Sequence, residues 1–317
     1  MTQPTKIIFF GTSDFAVPAL QALSAAEQQI VLVITTPDEI AGRQKVLTAS
    51  PVKIAAQILG LDLIQPSSLR NNPELIEKIK GSGASLGIVA SYGKIIPKEI
   101  LDLFPLGLLN IHPSLLPKYR GPSPIQSAIL NGEKSTGITI MLVDEEVDHG
   151  AILSQTQYQL ATSKYYGEIR AELARLGADL LIKTLVGYRL GESIPQPQDH
   201  TLATFTKKFS FAEGEINWHR SAEEILNQIR ALNPEPGTWT TRTDKAGEIF
   251  KISKAVVVPE TTPLPPGSGL ISGSRLLVST GQGTLALEEV QPAGKKVMPI
   301  KSFLNGLGKL EKIDFSR

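Results

Sequence analysis

Short apolar runs alternate with helix-forming stretches through the first 190 residues, and this alternation restricts the chain more than any other feature. Residues 6–10, 30–34, 86–90 and 107–111 are mainly apolar and end in glycine or polar turns. Such a run fits a strand covered on both faces. Strands separated by helices must run parallel, because parallel neighbours need a crossover. Between them the pattern predicts a helix over 15–26, capped by Ser13 or Asp14, and another over 51–59, opened by Pro51 at its first position. A longer helix is expected over 164–187, with Ile169, Leu173, Leu176 and Leu180 on one face. Residues 137–142 and 152–156 have the pattern of strands nearer an edge. The expected fold class is α/β, a Rossmann-like, mostly parallel sheet with helices on both faces.

The pattern changes after Gly191. A polar, proline-bearing stretch reads as a linker over 191–206. Beyond it, a helix over 222–232 is followed by short β-rich segments at 237–243, 249–258, 269–272, 275–280 and 284–289, punctuated by Gly, Pro and Ser. Short strands at that spacing predict a small barrel or sandwich. The expected division is therefore a first domain over 1–190, the linker, and a second domain over 207–317.

Composition removes several chemistries. The chain has no cysteine, which excludes thiol nucleophiles, thiolate zinc sites and disulfides together. Its four histidines include no pair at metal-ligand spacing, so no metal is expected. No signal-peptide pattern or long apolar run occurs, and the expectation is a cytoplasmic protein without membrane contact. A dinucleotide fingerprint would need glycine two and five residues after Gly11, where Ser13 and Ala16 stand. Neither NAD nor FAD is expected.

The richest chemistry lies between Asn110 and Gln126. Asn110 and His112 alternate along a strand and so share a face at its carboxyl end, where open α/β sheets bind ligands. Prolines and Gly121 stiffen the loop that follows. A carboxamide can donate to a developing oxyanion, and an imidazole can take up a proton near neutral pH. The turn over 143–150 adds Asp144, Glu145, Glu146 and Asp148, one of which could orient His112. Acyl transfer to an amine uses such a set without a covalent nucleophile, because the amine itself attacks. On chemistry alone, a structural Asn–His hydrogen-bonded pair and a solvated acidic turn stay open beside this reading.

These residues resemble the signature of the folate-dependent formyltransferases: Asn110 and His112, then Ser114, Leu115, Leu116 and Pro117, then Arg120 and Gly121, then Asp148 and Gly150. The segments 9–18, 49–53, 90–93, 122–126, 216–218, 222–225 and 230–234 are similar, in order, to the members of that family that formylate methionyl-tRNA. The resemblance implies Asn110, His112 and Asp148 as the catalytic trio and 10-formyltetrahydrofolate as co-substrate, with no metal. It implies a folate site formed by Ser114, Leu115, Leu116 and Pro117, with backbone from Val89, Ala90, Ser91 and Tyr92 and from Leu142, Val143, Asp144 and Val147 holding the pterin.

The same resemblance makes the second domain an OB-like barrel and implies initiator methionyl-tRNA as the acceptor. From Phe205 onward, 15 Lys and Arg face 12 acids, whereas the whole chain carries only +1. The candidate phosphate contacts are Lys207, Lys208, Lys251, Lys254, Lys295 and Lys296, with Lys245 and Lys301 beside them. The loop over 36–50 resembles the insertion that engages the acceptor end, with Arg43 and Lys45 as its basic residues. Gln44 and Val46 depart from the family pattern there, as does His149 beside Asp148, which is expected to face solvent. The alternatives are a formyltransferase for an amino sugar nucleotide, a formyltetrahydrofolate hydrolase, and an RNA-binding scaffold without activity. A monomer is expected.

Overall fold

The computed structural model describes residues 5–41, 46–308 and 310–316. Lys6–Gly11 (β1) leads through a short 3-10 turn into Val17–Ala25 (α1). Gln29–Ile34 (β2) follows, then the short hairpin of Glu39–Ala41 (β3) and Val46–Thr48 (β4). Pro51–Ile58 (α2), Leu63–Ile64 (β5), Pro73–Ser82 (α3), Leu86–Ala90 (β6), Lys98–Leu101 (α4) and Leu108–His112 (β7) complete the parallel part. Pro124–Leu130 (α5), Ser135–Leu142 (β8), Ile152–Gln159 (β9) and Tyr166–Arg189 (α6) come next.

The seven strands of this sheet lie in the order β5-β2-β1-β6-β7-β8-β9. The first five are parallel, and β8 and β9 are antiparallel additions. Ile7, Ile8, Phe9 and Phe10 of β1 are all fully buried, as a strand covered on both faces requires. On one face, Ile8, Phe10, Leu32 and Ile34 pack with Leu75 and Ile79 of α3 and Ile100 of α4.

The helix starts follow local chemistry. Ser50 Oγ accepts from Lys53 N at 3.1 Å, and Pro51 occupies the first turn of α2. Asn72 caps α3 in the same way, accepting from Leu75 N at 3.0 Å. Each cap stabilises its helix by about 1 kcal/mol. The expected helix over 15–26 begins later, at Val17, and neither Ser13 nor Asp14 caps it. Ser13 Oγ instead donates to Ser91 Oγ at 2.7 Å, and Asp14 pairs with Arg170. These long-range partners outweigh the local cap.

Contacts divide the chain into two compact units. The first holds the described residues up to Pro124, then Ser135–Gln159 and Arg170–Thr206. Residues 191–206, expected as a linker, are bonded along this unit. Gln196 exchanges two backbone hydrogen bonds of 2.8 Å with Ile152, and Thr204 O accepts from Arg120 N at 2.8 Å.

The second unit holds Ile125–Lys134, Leu160–Ile169 and the described residues from Lys207 onward. Ala222–Leu232 (α7) opens with a capping box between Ser221 and Glu224. Thr238–Arg242 (β10), Lys245–Val258 (β11), Ser268–Ser272 (β12), Arg275–Ser279 (β13) and Thr284–Gln291 (β14) follow. Met298–Pro299 (β15), Ile300–Asn305 (α8) and Lys312–Ser316 (β16) end it. The order β11-β10-β16-β12-β13-β14 closes through β14 onto β11, giving a six-stranded antiparallel barrel. Strand β16 was not expected from the sequence, yet it pairs with both β10 and β12 and closes the circuit. Trp218, Phe250, Phe315 and Ile225 fill the barrel core. The Trp218 indole donates to Thr240 Oγ1 at 3.2 Å, so its polar atom is satisfied inside. Among the described residues, no helix is long and apolar enough to cross a membrane.

Candidate active site

Strand β7 places Asn110 and His112 on one face, and its neighbours bring the rest of the site to them. Asn110 stands opposite Val89 of β6 and Met141 of β8, and His112 opposite Thr139 of β8. The segments 89–92 and 142–147 therefore continue from the two strands that flank β7. The turn after β8 carries Asp148 back towards it. Asn110 Nδ2 donates to Asp148 Oδ1 at 3.3 Å, and His112 Nδ1 lies 3.4 Å from the same oxygen. His112 Nε2 is 3.0 Å from the Tyr119 carbonyl oxygen. A carbonyl only accepts, so Nε2 carries a hydrogen and Nδ1 is the nitrogen left to exchange a proton with Asp148.

Asp148 Oδ2 accepts from Gly121 N at 2.7 Å. Burial pushes the Asp148 carboxyl up, but the facing His112, the Gly121 amide and the Arg120 charge together hold it below its ordinary value. Its backbone is left-handed, with φ of 51°. Aspartate is one of the few side chains that enter this region, at a cost of about 1 kcal/mol. Gly150, two residues on, has no room for a side chain, because a Cβ there would meet Leu142 O at 2.0 Å.

A second layer fixes this turn. Gln198 Nε2 donates to Asp148 O at 2.9 Å and to Gly150 O at 2.8 Å. Arg120 is buried and donates to Gln198 Oε1 through Nε at 3.2 Å and Nη2 at 2.7 Å. Arg120 Nη2 also reaches His200 Nδ1 at 2.8 Å. His149, expected to face solvent, is only partly exposed and is engaged on the turn. Its Nδ1 lies 2.7 Å from Asp144 Oδ2, and its ring stacks on His200 with centroids 4.1 Å apart. The carboxylate and the second imidazole hold it on the turn. Arg120 and Gly121 entered the sequence reading only as loop and signature residues, Gln198 and His200 not at all, and no periodicity marks Gln198 in its proline-bearing stretch.

The four residues of the folate candidate loop differ in access. Ser114 is fully buried, its Oγ donating to Lys118 O at 2.6 Å and its carbonyl accepting from Thr139 Oγ1 at 2.7 Å. Leu116 is buried as well, with its carbonyl held by Gln155 Nε2 at 2.9 Å. Leu115 and Pro117 are half-buried and present surface. On the flanking segments, Ala90 and Tyr92 are buried, Ser91 and Val147 are exposed, and Val89, Leu142, Val143 and Asp144 lie between.

The basic candidates do not form one set. Arg43 and Lys45 lie outside the described residues. Lys207 pairs with Glu213, and Lys254 with Glu289 at 3.0 Å. Lys251 Nζ stands 5.7 Å from the Phe211 ring centroid, and Phe211 itself stacks on Trp239. Lys245 and Lys295 line one barrel cavity of about 270 Å³ together with Arg242, Phe250 and Phe303. Lys208, Lys296 and Lys301 are exposed. Among the described residues, no group of three or more His, Asp or Glu could hold a metal ion.

An amide donor, an imidazole and a carboxylate meeting at the carboxyl end of a sheet suit acyl transfer to an incoming nucleophile. The family model described as formyl transferase matches residues 5–185, and the model for the formyl transferase C-terminal domain matches 208–308; the chain belongs to the formyl transferase family. Relatives that match it over nearly its whole length include methionyl-tRNA formyltransferases. The chain is 42% identical over 305 residues to the one from Roseiflexus sp. (strain RS-1), covering 96% of this chain and 93% of the relative. It is 44% identical over 304 residues to that of Chloroflexus aurantiacus (strain ATCC 29366 / DSM 635 / J-10-fl), covering 95% and 97%. HypX from Aquifex aeolicus, solved in complex with tetrahydrofolic acid, shares the fold at 17% identity with a TM-score of 0.66. That alignment covers 99% of this chain and 51% of HypX, so the chain spans about half the length of that protein.

Proposed function

We propose that the chain transfers the formyl group of 10-formyltetrahydrofolate to the amine of methionyl-initiator-tRNA, with Asn110, His112 and Asp148 as the catalytic residues. The observation that carries this reading is the convergence of Asn110 Nδ2 and His112 Nδ1 on Asp148 Oδ1, within 3.3 and 3.4 Å. Full-length relatives of the same activity support the donor and the acceptor.

The chemistry follows from the donors and acceptors present. The amine nitrogen attacks the formyl carbon, forming the new C–N bond and pushing the carbonyl pair onto oxygen. Asn110 Nδ2, and His112 Nδ1 once it carries a proton, stabilise that oxyanion by hydrogen bonding. The amine, now positively charged, gives up a proton through the Asp148–His112 pair. A proton delivered to the folate nitrogen lets the old C–N bond break, releasing tetrahydrofolate and formyl-methionyl-tRNA. Segments 89–92 and 142–147 hold the pterin beside Asn110, and Leu115 and Pro117 offer the surface of the 114–117 loop to the folate.

The tRNA contacts in this reading are Arg43 and Lys45 with the barrel lysines Lys207, Lys208, Lys251, Lys254, Lys295 and Lys296. The enzyme acts as a monomer in the cytoplasm; the closed barrel, which leaves no open sheet edge on its ring, supports that state. The test is formyl transfer from 10-formyltetrahydrofolate to charged initiator tRNA, with His112→Ala beside the parent. Turnover should fall by about 100-fold or more, the scale of a positioned acid–base group. An unchanged rate removes His112 from the mechanism. Formate released without formyl-methionine replaces this reading with a hydrolase.

A further inference from the structure

We propose that Gln198 is a positioning residue for formyl transfer: its side-chain amide holds the Asp148 backbone in the conformation that turns the carboxylate onto Asn110 and His112. The inference rests on the assignment of Asp148 to the catalytic trio.

The amide of Gln198 is buried, and its hydrogen-bonding capacity is fully used. Its two N–H hydrogens go to Asp148 O and Gly150 O, at 2.9 and 2.8 Å. Those carbonyls lie one residue either side of His149, so a single NH2 group spans the turn. Its oxygen accepts from both Nε and Nη2 of Arg120. A guanidinium only donates, so Arg120 fixes which end of the amide faces the turn. A flipped amide would oppose donor to donor on one side and acceptor to two acceptors on the other.

Gln198 is itself anchored. Two residues before it, Gln196 N and O both bond Ile152 at the start of β9. Two residues after it, His200 accepts from Arg120 and stacks on His149. The 198–200 segment thus grips the Asp148 turn at two carbonyls and one ring. Asp148 needs the grip because its φ of 51° is unfavourable for a side chain. From that backbone geometry its carboxylate reaches Oδ1 and Oδ2 partners on two different segments. Among the described residues, the Gln198 side chain hydrogen-bonds Arg120, Asp148 and Gly150 and neither Asn110 nor His112, so its influence passes through the Asp148 backbone.

Two substitutions separate the halves of the amide. Gln198→Met keeps the volume and removes every hydrogen bond. Gln198→Glu keeps and strengthens the Arg120 contact but turns a carboxylate oxygen, without hydrogens, towards the two carbonyls. Both should lower kcat by on the order of 100-fold, the scale on which an ångström-sized misplacement acts. KM for the folate donor and for the methionyl-tRNA should stay at the parent value. A parent-like kcat in either folded variant overturns the proposal; in Gln198→Glu it would leave anchoring of Arg120 as the role. A KM that rises while kcat holds also overturns it, and so does loss of the cooperative melt in both variants, which makes Gln198 part of the scaffold. Asp148→Asn, measured in parallel, separates the two readings. If Asp148→Asn stays active, the trio assignment fails; if it is inactive while the Gln198 variants are active, only this proposal fails.

Discussion

Gly121 N donates to Asp148 Oδ2 at 2.7 Å, while the other oxygen of the same carboxylate faces Asn110 and His112 at 3.3 and 3.4 Å. One oxygen is tied to backbone and the other is turned towards the proposed reacting groups. A backbone amide cannot rotate away, so the carboxylate can exchange a proton at Oδ1 without losing its place. The Arg-Gly step of the sequence has a physical reading here. Arg120 goes inward to Gln198, and Gly121, with φ of 105°, turns its amide to Asp148.

Asp148 should make the first unit sensitive to acid. Burial opposes its charge, but His112, the Gly121 amide and Arg120 prevail and leave its pKa lowered. The unfolded chain then binds the proton more readily, around its ordinary value of about 3.9. The stabilisation is present above that value and is lost as pH falls through the lower folded pKa. Asp148→Asn lacks this group. Its urea midpoint should therefore decline less than the parent's between about pH 5 and pH 2. Parallel declines in the two proteins would contradict the assignment.

Gly150→Ala should damage the site without touching a reacting group. A Cβ at that position would lie 2.0 Å from Leu142 O, a backbone atom of β8 paired in register with Leu109 of β7. Relief must come from the turn, which carries Asp148 two residues away. Turnover should drop by about 10-fold or more, since small displacements of an acid–base group act on that scale. Steady-state rates at saturating donor and tRNA would decide it, and a rate equal to the parent's would mean the turn absorbs the methyl group elsewhere.

Much of this was legible in the sequence, for reasons that differ by element. The parallel strands were readable because Ile7 to Phe10 and Ile88 are buried by a sheet covered on both sides, which demands unbroken apolar runs. Asn110 and His112 were readable because a strand's alternation puts them on one face whatever surrounds them. Gln198 and His200 were hidden because their roles depend on a chain crossing to residues 120 and 148–150, and no local pattern encodes such a return. His149 was misjudged for the same reason. Its partners, Asp144 and His200, belong to one near and one distant segment, and only folding brings the second ring 4.1 Å away. Strand β16 was missed because Lys312–Ser316 carries just two buried apolar residues, Ile313 and Phe315.

Tyr92→Phe should leave the protein as stable as the parent or more so. The Tyr92 hydroxyl is buried with no hydrogen-bond partner among the described residues, and burial pushes its pKa up to about 12. Its ring packs edge-on against Phe10, with centroids 5.6 Å apart, and phenylalanine keeps that contact. Removing an unsatisfied buried hydroxyl recovers about 1 kcal/mol or more. Thermal melting should show an equal or higher midpoint; a clear fall would reveal a partner for the hydroxyl.

The barrel lysines should differ in how they couple tRNA affinity to salt. Lys254 is held by Glu289 at 3.0 Å, and its pKa is raised by that carboxylate, so much of its charge is answered within the barrel. Lys295 is exposed and shares a cavity rim with Lys245 and Arg242. A cation that meets a phosphate releases about one counterion, and its loss flattens the dependence of log affinity on log salt by about one. Lys295→Ala should show that change in tRNA-binding titrations across a salt series. Lys254→Ala should show less, because a phosphate must compete with Glu289 for the ammonium and the vacated carboxylate then repels the backbone independently of any contact. Equal slopes for both variants would mean that the ion pair opens on binding. An unchanged slope in Lys295→Ala would take that lysine off the tRNA path.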